Sequence, residues 1–129
     1  MTGEELTIRA AALFGETEIE DYRAIALIHI NILLDDTWKQ NNRMRAAAGK
    51  DMLEQRMKLE KLADEIPYEE ALVHDALPYG LAAKLYFEED DNTRLSMFNE
   101  EFANRLEECD AGIVDCGTAQ TAQLPTWLW

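Results

Sequence analysis

The run AIALIHINILL at residues 24–34 decides the fold. Its middle, Ile28-His29-Ile30-Asn31-Ile32, alternates apolar and polar side chains with period two, which alone describes a half-buried strand. The flanks describe a helix instead, because Ala24 to Leu27 and Leu33-Leu34 break the alternation and no Gly or Pro interrupts residues 18–38. A helix is predicted from about Glu18 to Trp38, opened by the capping-box pattern Thr17-x-x-Glu20. Apolar nearly all round, it is either central to the fold or shared with a neighbouring copy. His29 and Asn31 within it are read as hydrogen-bonded members of a core or interface, since buried polar groups must find partners.

Outward from that helix, Thr2-x-x-Glu5 is a second capping box, and Leu6, Ala10, Leu13 and Phe14 follow at helical spacing until Gly15 ends the segment. Residues 39–50, KQNNRMRAAAGK, are polar and basic and read as an exposed connection. Residues 51–64 are rich in helix formers, with Glu54 and Lys58 spaced as an i,i+4 pair, and are predicted helical although their apolar residues form no clean stripe. Pro67 followed by Tyr68, Glu69 and Glu70 marks a helix start with acids in the first turn. That helix presents Leu72, Ala76, Gly80, Ala83 and Phe87 on one face; Pro78 kinks it by removing a bond to the His74 carbonyl, and Gly80 admits another helix closely. Residues 88–93 break the pattern before a last helix with the stripe Leu95, Phe98, Phe102 and Leu106. The expected fold class is all-α: a small bundle of four to five helices over residues 1–109 and an extended C-terminal arm over 110–129.

The 129 residues suit one domain with one modest core. The net charge of −14 lies mostly in the second half, where residues 62–129 hold 15 acidic and 3 basic side chains against 11 and 9 in residues 1–61. Such a surface repels phosphate backbones, so tight nucleic-acid binding is not expected. The opening MTGEELTIRAA has no basic leader before an apolar core, and residues 24–34 fall short of the roughly 20 that span a membrane, so neither secretion nor membrane insertion is expected. Cys109 and Cys116 are then expected as reduced thiols.

Chemistry finds little support. The one serine, Ser96, stands on a different helix from either histidine, so a nucleophilic triad is not indicated. Glu70 and His74 lie four apart, but neither histidine stands three after a carboxylate as di-iron bundles require, and Glu88-x-x-Asp91 lacks the upstream partner that magnesium-dependent helical pyrophosphohydrolases carry. No glycine-rich phosphate loop follows a strand. No catalytic residue, metal or cofactor is expected, and the chain is not read as an enzyme. Met44, Met52 and Met57 read as packing. The ending Leu124-Pro125-Thr126-Trp127-Leu128-Trp129 is different: apolar area at a polar terminus must be buried, either as anchors on a partner or folded back on the chain's own domain.

The stretch Asp64 to Leu72 (DEIPYEEAL), then Ala76 to Leu85 (ALPYGLAAKL) and the acidic turn Glu88 to Asn92 before Phe98 and Phe102, resembles the head-to-tail connector proteins of tailed bacteriophages. A short first helix, a long second one and a final helical pair broken by an acid-rich turn recur in that family in this order, as in residues 4–108 here. The resemblance implies a ring of copies, usually twelve, docked beneath the portal protein, continuing the DNA channel to tail or stopper proteins. It implies location in the virion neck after synthesis in the host cytoplasm. Leu124, Pro125, Trp127, Leu128 and Trp129 would grip the portal, and Ile28, His29 and Ile32 are the candidate contacts between copies. Glu69, Glu70, Glu88, Glu89, Asp90 and Asp91 are candidates, from charge, for a channel wall that lets DNA pass without sticking. Residues 39–63 do not match the family. The competing reading is a small acidic inhibitor that mimics DNA and occupies a nucleic-acid enzyme, which accounts for the charge but not for the apolar second helix or the LPTWLW end.

Overall fold

The computed structural model describes residues 1–86 and 92–117, with side chains through residue 110. Among these residues there are five α-helices: α1 Gly3–Leu13, α2 Arg23–Asp36, α3 Trp38–Ala47, α4 Leu77–Leu85 and α5 Asn92–Gly117. A 3-10 turn, Glu20–Tyr22, leads into α2, and a π-turn, Leu72–Ala76, leads into α4. There is no strand among the described residues beyond one isolated bridge, Thr2 to Glu65. The all-α bundle expected from the sequence is what the chain forms.

α1 follows its sequence signals closely. Thr2 Oγ1 accepts from the Glu5 amide at 3.1 Å, the Glu5 carboxylate accepts from the Thr2 amide at 3.0 Å, and Gly15 takes φ 85 just past the helix end. Two further amides of its first turn, Gly3 and Glu4, donate to Asp64 O and Leu62 O at 3.1 and 2.8 Å. The approach is tight at Gly3, where a Cβ would lie 2.8 Å from Leu59 Cδ1 and 3.2 Å from Leu62 O.

The long helix expected over residues 18–38 is shorter and broken at both ends. Thr17 does not cap it; the entry is the 3-10 turn, with no side-chain cap. At the other end the Thr37 hydroxyl bonds back to Leu33 O at 2.7 Å, the carbonyl that the Thr37 amide also reaches at 3.0 Å, and α2 ends there with α3 following at Trp38.

The segment 39–50 is an exposed connection only at its end, residues 48–50; up to Ala47 it belongs to α3, which turns Gln40, Asn41 and Asn42 inward and leaves Lys39 and Arg43 exposed. Gln40, Asn41 and Asn42 are buried and each bonds a different part of the chain. Gln40 Nε2 donates to Leu106 O at 2.9 Å in α5; Asn41 Oδ1 accepts from the Glu69 amide at 2.7 Å. Asn42 exchanges two bonds with Leu53, donating to its O at 3.1 Å and accepting from its N at 2.8 Å.

Residues 51–64 are correspondingly not helical. They form a strap whose backbone groups are met by side chains: besides Asn42 on Leu53, Asn31 donates to Leu59 O at 3.0 Å and accepts from Leu59 N at 2.7 Å. Trp38 Nε1 donates to Gln55 O at 3.2 Å, and Arg45 Nε donates to Asp51 O at 2.6 Å. Amides can replace a helix's own hydrogen bonds because backbone groups need partners, not a particular partner. This strap also explains the missing apolar stripe: only Leu59 and Leu62 are buried in it.

The helix expected to start at Pro67 begins three residues later, at Glu70, and passes at once into the π-turn, in which Leu77 N reaches back to Leu72 O. Pro78 follows at once. The His74 carbonyl that Pro78 cannot serve makes a long 3.5 Å contact with Arg9. α4 is the central element, packed on α1, α2 and α5, with all of its residues but Tyr79 and Lys84 buried. At Gly80 a Cβ would lie 2.9 Å from Phe102 Cε1 and 3.0 Å from Leu33 Cδ2, so α5 and α2 both close on α4 there, as the sequence indicated. On α5, Phe98 is buried and Leu95, Phe102, Leu106 and Cys109 pack against the core. The helix continues to Gly117, so residues 110–117, expected to open the arm, are helical.

Candidate functional site

α2 turns Ala26, Ile30, Leu33 and Leu34 inward at helical spacing. The opposite face carries Ile28, 59% exposed, and Ile32, 42% exposed, one turn apart. Of the two places open to an apolar helix, the centre of the bundle is taken by α4, and α2 keeps an outward apolar face. His29 lies half-buried beside it. With Ala83, Lys84, Leu95 and Asn99 it lines a crevice of about 310 Å³ where α2, α4 and α5 meet. His29 Nδ1 is buried with no hydrogen-bond partner, unlike Asn31, and burial, then the charge of Lys84, holds its pKa below the ordinary imidazole value.

A second concave feature is a cleft of about 850 Å³ between the end of α3, the 67–71 segment and α5. Met44, Ala47, Ala48, Pro67, Ala71 and Cys109 give it apolar walls, and Lys50, Glu69, Glu70, Asp75, Arg105 and Glu108 its charges. Glu69 is not a free surface acid. Its carboxylate takes two contacts from Lys50 Nζ, at 3.0 and 3.2 Å, and one from Arg45 at 3.7 Å. Arg105 bonds Glu101 at 2.8 Å and stacks 4.7 Å from the Tyr79 ring centroid. The Cys109 thiol is free and is pushed above its usual pKa by burial and then by Asp75, Asp110 and Glu108. A thiol so held is protonated and a poor nucleophile.

Much of the positive charge is engaged within the molecule. Arg23 pairs with Glu4 and Glu20, Arg43 with Asp110, and Arg56 with Asp35 while lying 5.0 Å from the Trp38 ring. Glu70, Glu100, Glu107 and Glu108 remain exposed, which gives the described part of the second half an acidic face.

The structure thus places the sequence candidates unevenly. Ile28, His29 and Ile32 lie together on α2; Glu70 stands exposed at the cleft, while Glu69 is paired and half-buried. Glu88, Glu89, Asp90 and Asp91, and the arm residues Leu124, Pro125, Trp127, Leu128 and Trp129, lie outside the described residues. Of the spaced pair Glu70 and His74, the His74 Nδ1 lies 3.2 Å from the Arg9 guanidinium. The cleft itself was missed, although Cys109 continues the stripe of Leu95, Phe98, Phe102 and Leu106 by one step and marks the α5 wall. Among the described residues, no group of three or more His, Cys, Asp and Glu could hold a metal ion, and no helix is long and apolar enough to cross a membrane. Compared with family models, curated proteins and solved structures, the chain matches none.

Proposed function

We propose that the chain is a head-to-tail connector subunit of a tailed phage, a structural virion protein that assembles as a ring below the portal. The observation that carries this reading is the outward apolar face of α2. In a chain of net charge −14, two exposed isoleucines one turn apart make an apolar strip that a neighbouring copy would cover. Copies meeting through Ile28, His29 and Ile32 would cover it, and a ring with an acidic lining would let DNA slide through without being held. Tail residues 124–129 would anchor the ring on the portal, and tail or stopper proteins would follow below.

The second reading, an acidic DNA mimic, is favoured by the engagement of Arg23, Arg43, Arg45, Arg56 and Arg105 in internal pairs, which leaves acids to set the outer field. A mimic needs carboxylates spaced like phosphates and gains nothing from bare isoleucines.

Sedimentation of the chain bearing Ile28→Asp with Ile32→Asp separates the two. A connector loses its self-association on the portal while the helical fold is kept; a mimic keeps its monomeric state and its hold on a basic DNA-binding enzyme.

A further inference from the structure

The α3–α5 cleft is an open concavity with both apolar and charged walls. About 850 Å³ lies within the range of roughly 300–1,000 Å³ that accommodates a compact organic ligand, and Met44, Ala47, Ala48, Pro67 and Ala71 offer it apolar walls. We propose that residues 124–129 of the same molecule, LPTWLW, dock in this cleft.

Chain length permits it. Cys109 lines the cleft and α5 ends at Gly117, which is about 12 Å further along the helix axis. Trp127 follows ten residues after Gly117, a span of up to about 33 Å when extended, so the segment can turn back and reach the wall that α5 itself builds.

Charge selects it. Glu70, Asp75 and Glu108 stand at the cleft and repel an acidic occupant, whereas Glu69 is already neutralised by Lys50 and Arg45. Residues 116–129 carry no charged side chain, in a half that otherwise holds 15 acids against 3 bases. Their side chains give those acids nothing to repel. A tryptophan brings about 150–250 Å² of surface to bury, and a short tether supplies a millimolar effective concentration, so a weak, partial contact suffices. The docking holds whether or not the chain is a connector; in a connector it would stow the arm until a portal competes for it.

Cys109 reports on the occupant directly. In full-length protein carrying Cys116→Ser, so that one thiol remains, the rate of reaction with a maleimide is compared with and without Trp127→Ala plus Trp129→Ala. These changes lie in the tail, and circular dichroism verifies that the helices are unchanged. The docked tail shields Cys109, so the tail variant reacts several-fold faster, and the shielding persists on dilution because it is intramolecular. Equal rates overturn the proposal, and so does shielding that vanishes on dilution, which would assign the cleft to the tail of another copy.

Discussion

Replacing Asn31 with alanine removes both bonds that fix the strap to α2, the 3.0 Å donation to Leu59 O and the 2.7 Å acceptance from Leu59 N. Leu59 is buried, so its amide and carbonyl are left in a place that water reaches poorly. An unsatisfied buried backbone group costs about 1–3 kcal/mol, and partial access of water at the half-buried Asn31 lowers the total for two groups to about 2–4 kcal/mol. Leu59 also packs where Gly3 admits it, so loosening the strap weakens the α1 entry as well. Urea unfolding followed by far-ultraviolet circular dichroism reads the loss: with a slope of about 1–3 kcal/mol/M, the midpoint falls by roughly 1–2 M. Asn31→Leu should lose about as much, since it adds apolar surface without restoring either bond. Asn99→Ala, at an exposed position, should stay within about 0.5 kcal/mol. A loss below about 0.5 kcal/mol for Asn31→Ala would refute the account of the strap as held by side-chain amides.

Gly80→Leu forces a side chain against Phe102 and Leu33, and should cost on the order of 1–3 kcal/mol through overpacking; a neutral effect in the same assay would mean that α5 and α2 do not close on α4 there. Because burial and Lys84 hold the His29 pKa down, the unfolded chain takes up this proton first as pH falls through about 6.5, so stability is greatest above that value and declines on acidification. His29→Gln should remove this decline from urea midpoints measured between about pH 7.5 and 5.5. It should leave the separate loss at lower pH, to which Glu5 and Asp64 contribute: backbone amides, of Thr2 for Glu5 and of Lys61 and Glu60 for Asp64, hold those carboxyl pKa values low, so their contribution is present above about 4.5 and fades below it. Deleting residues 124–129 should abolish portal binding in a pull-down while leaving the helical circular dichroism signal intact; undiminished binding would show that the tail is not the grip.

Where local chemistry decides structure, the sequence was legible. The Thr2 and Glu5 capping box, the Gly15 stop, the close approach at Gly80 and the stripe on α5 all rest on short-range rules or on one clean period. Residues 38–64 were misread because there polarity does not mean exposure. Gln40, Asn41 and Asn42 look like surface residues, and their partners Leu106, Glu69 and Leu53 are 11–66 positions away in sequence. The helix formers of residues 51–64 yielded for the same reason, since long-range amides supplied the hydrogen bonds that a helix would have made for itself. The π-turn before Pro78 was signalled only by the absent proline donor. Of the candidate site, Ile28 and Ile32 were legible as excess apolar surface, whereas the cleft needs α3, the 67–71 segment and α5 brought together.

Native mass spectrometry of the full chain mixed with a portal ring encoded in the same genome decides whether the chain forms a ring on a portal. A connector subunit adds a symmetric, ring-sized mass increment to the portal, lost with Ile28→Asp plus Ile32→Asp. A portal ring of unchanged mass beside a free chain that instead inhibits a DNA-binding enzyme would contradict it.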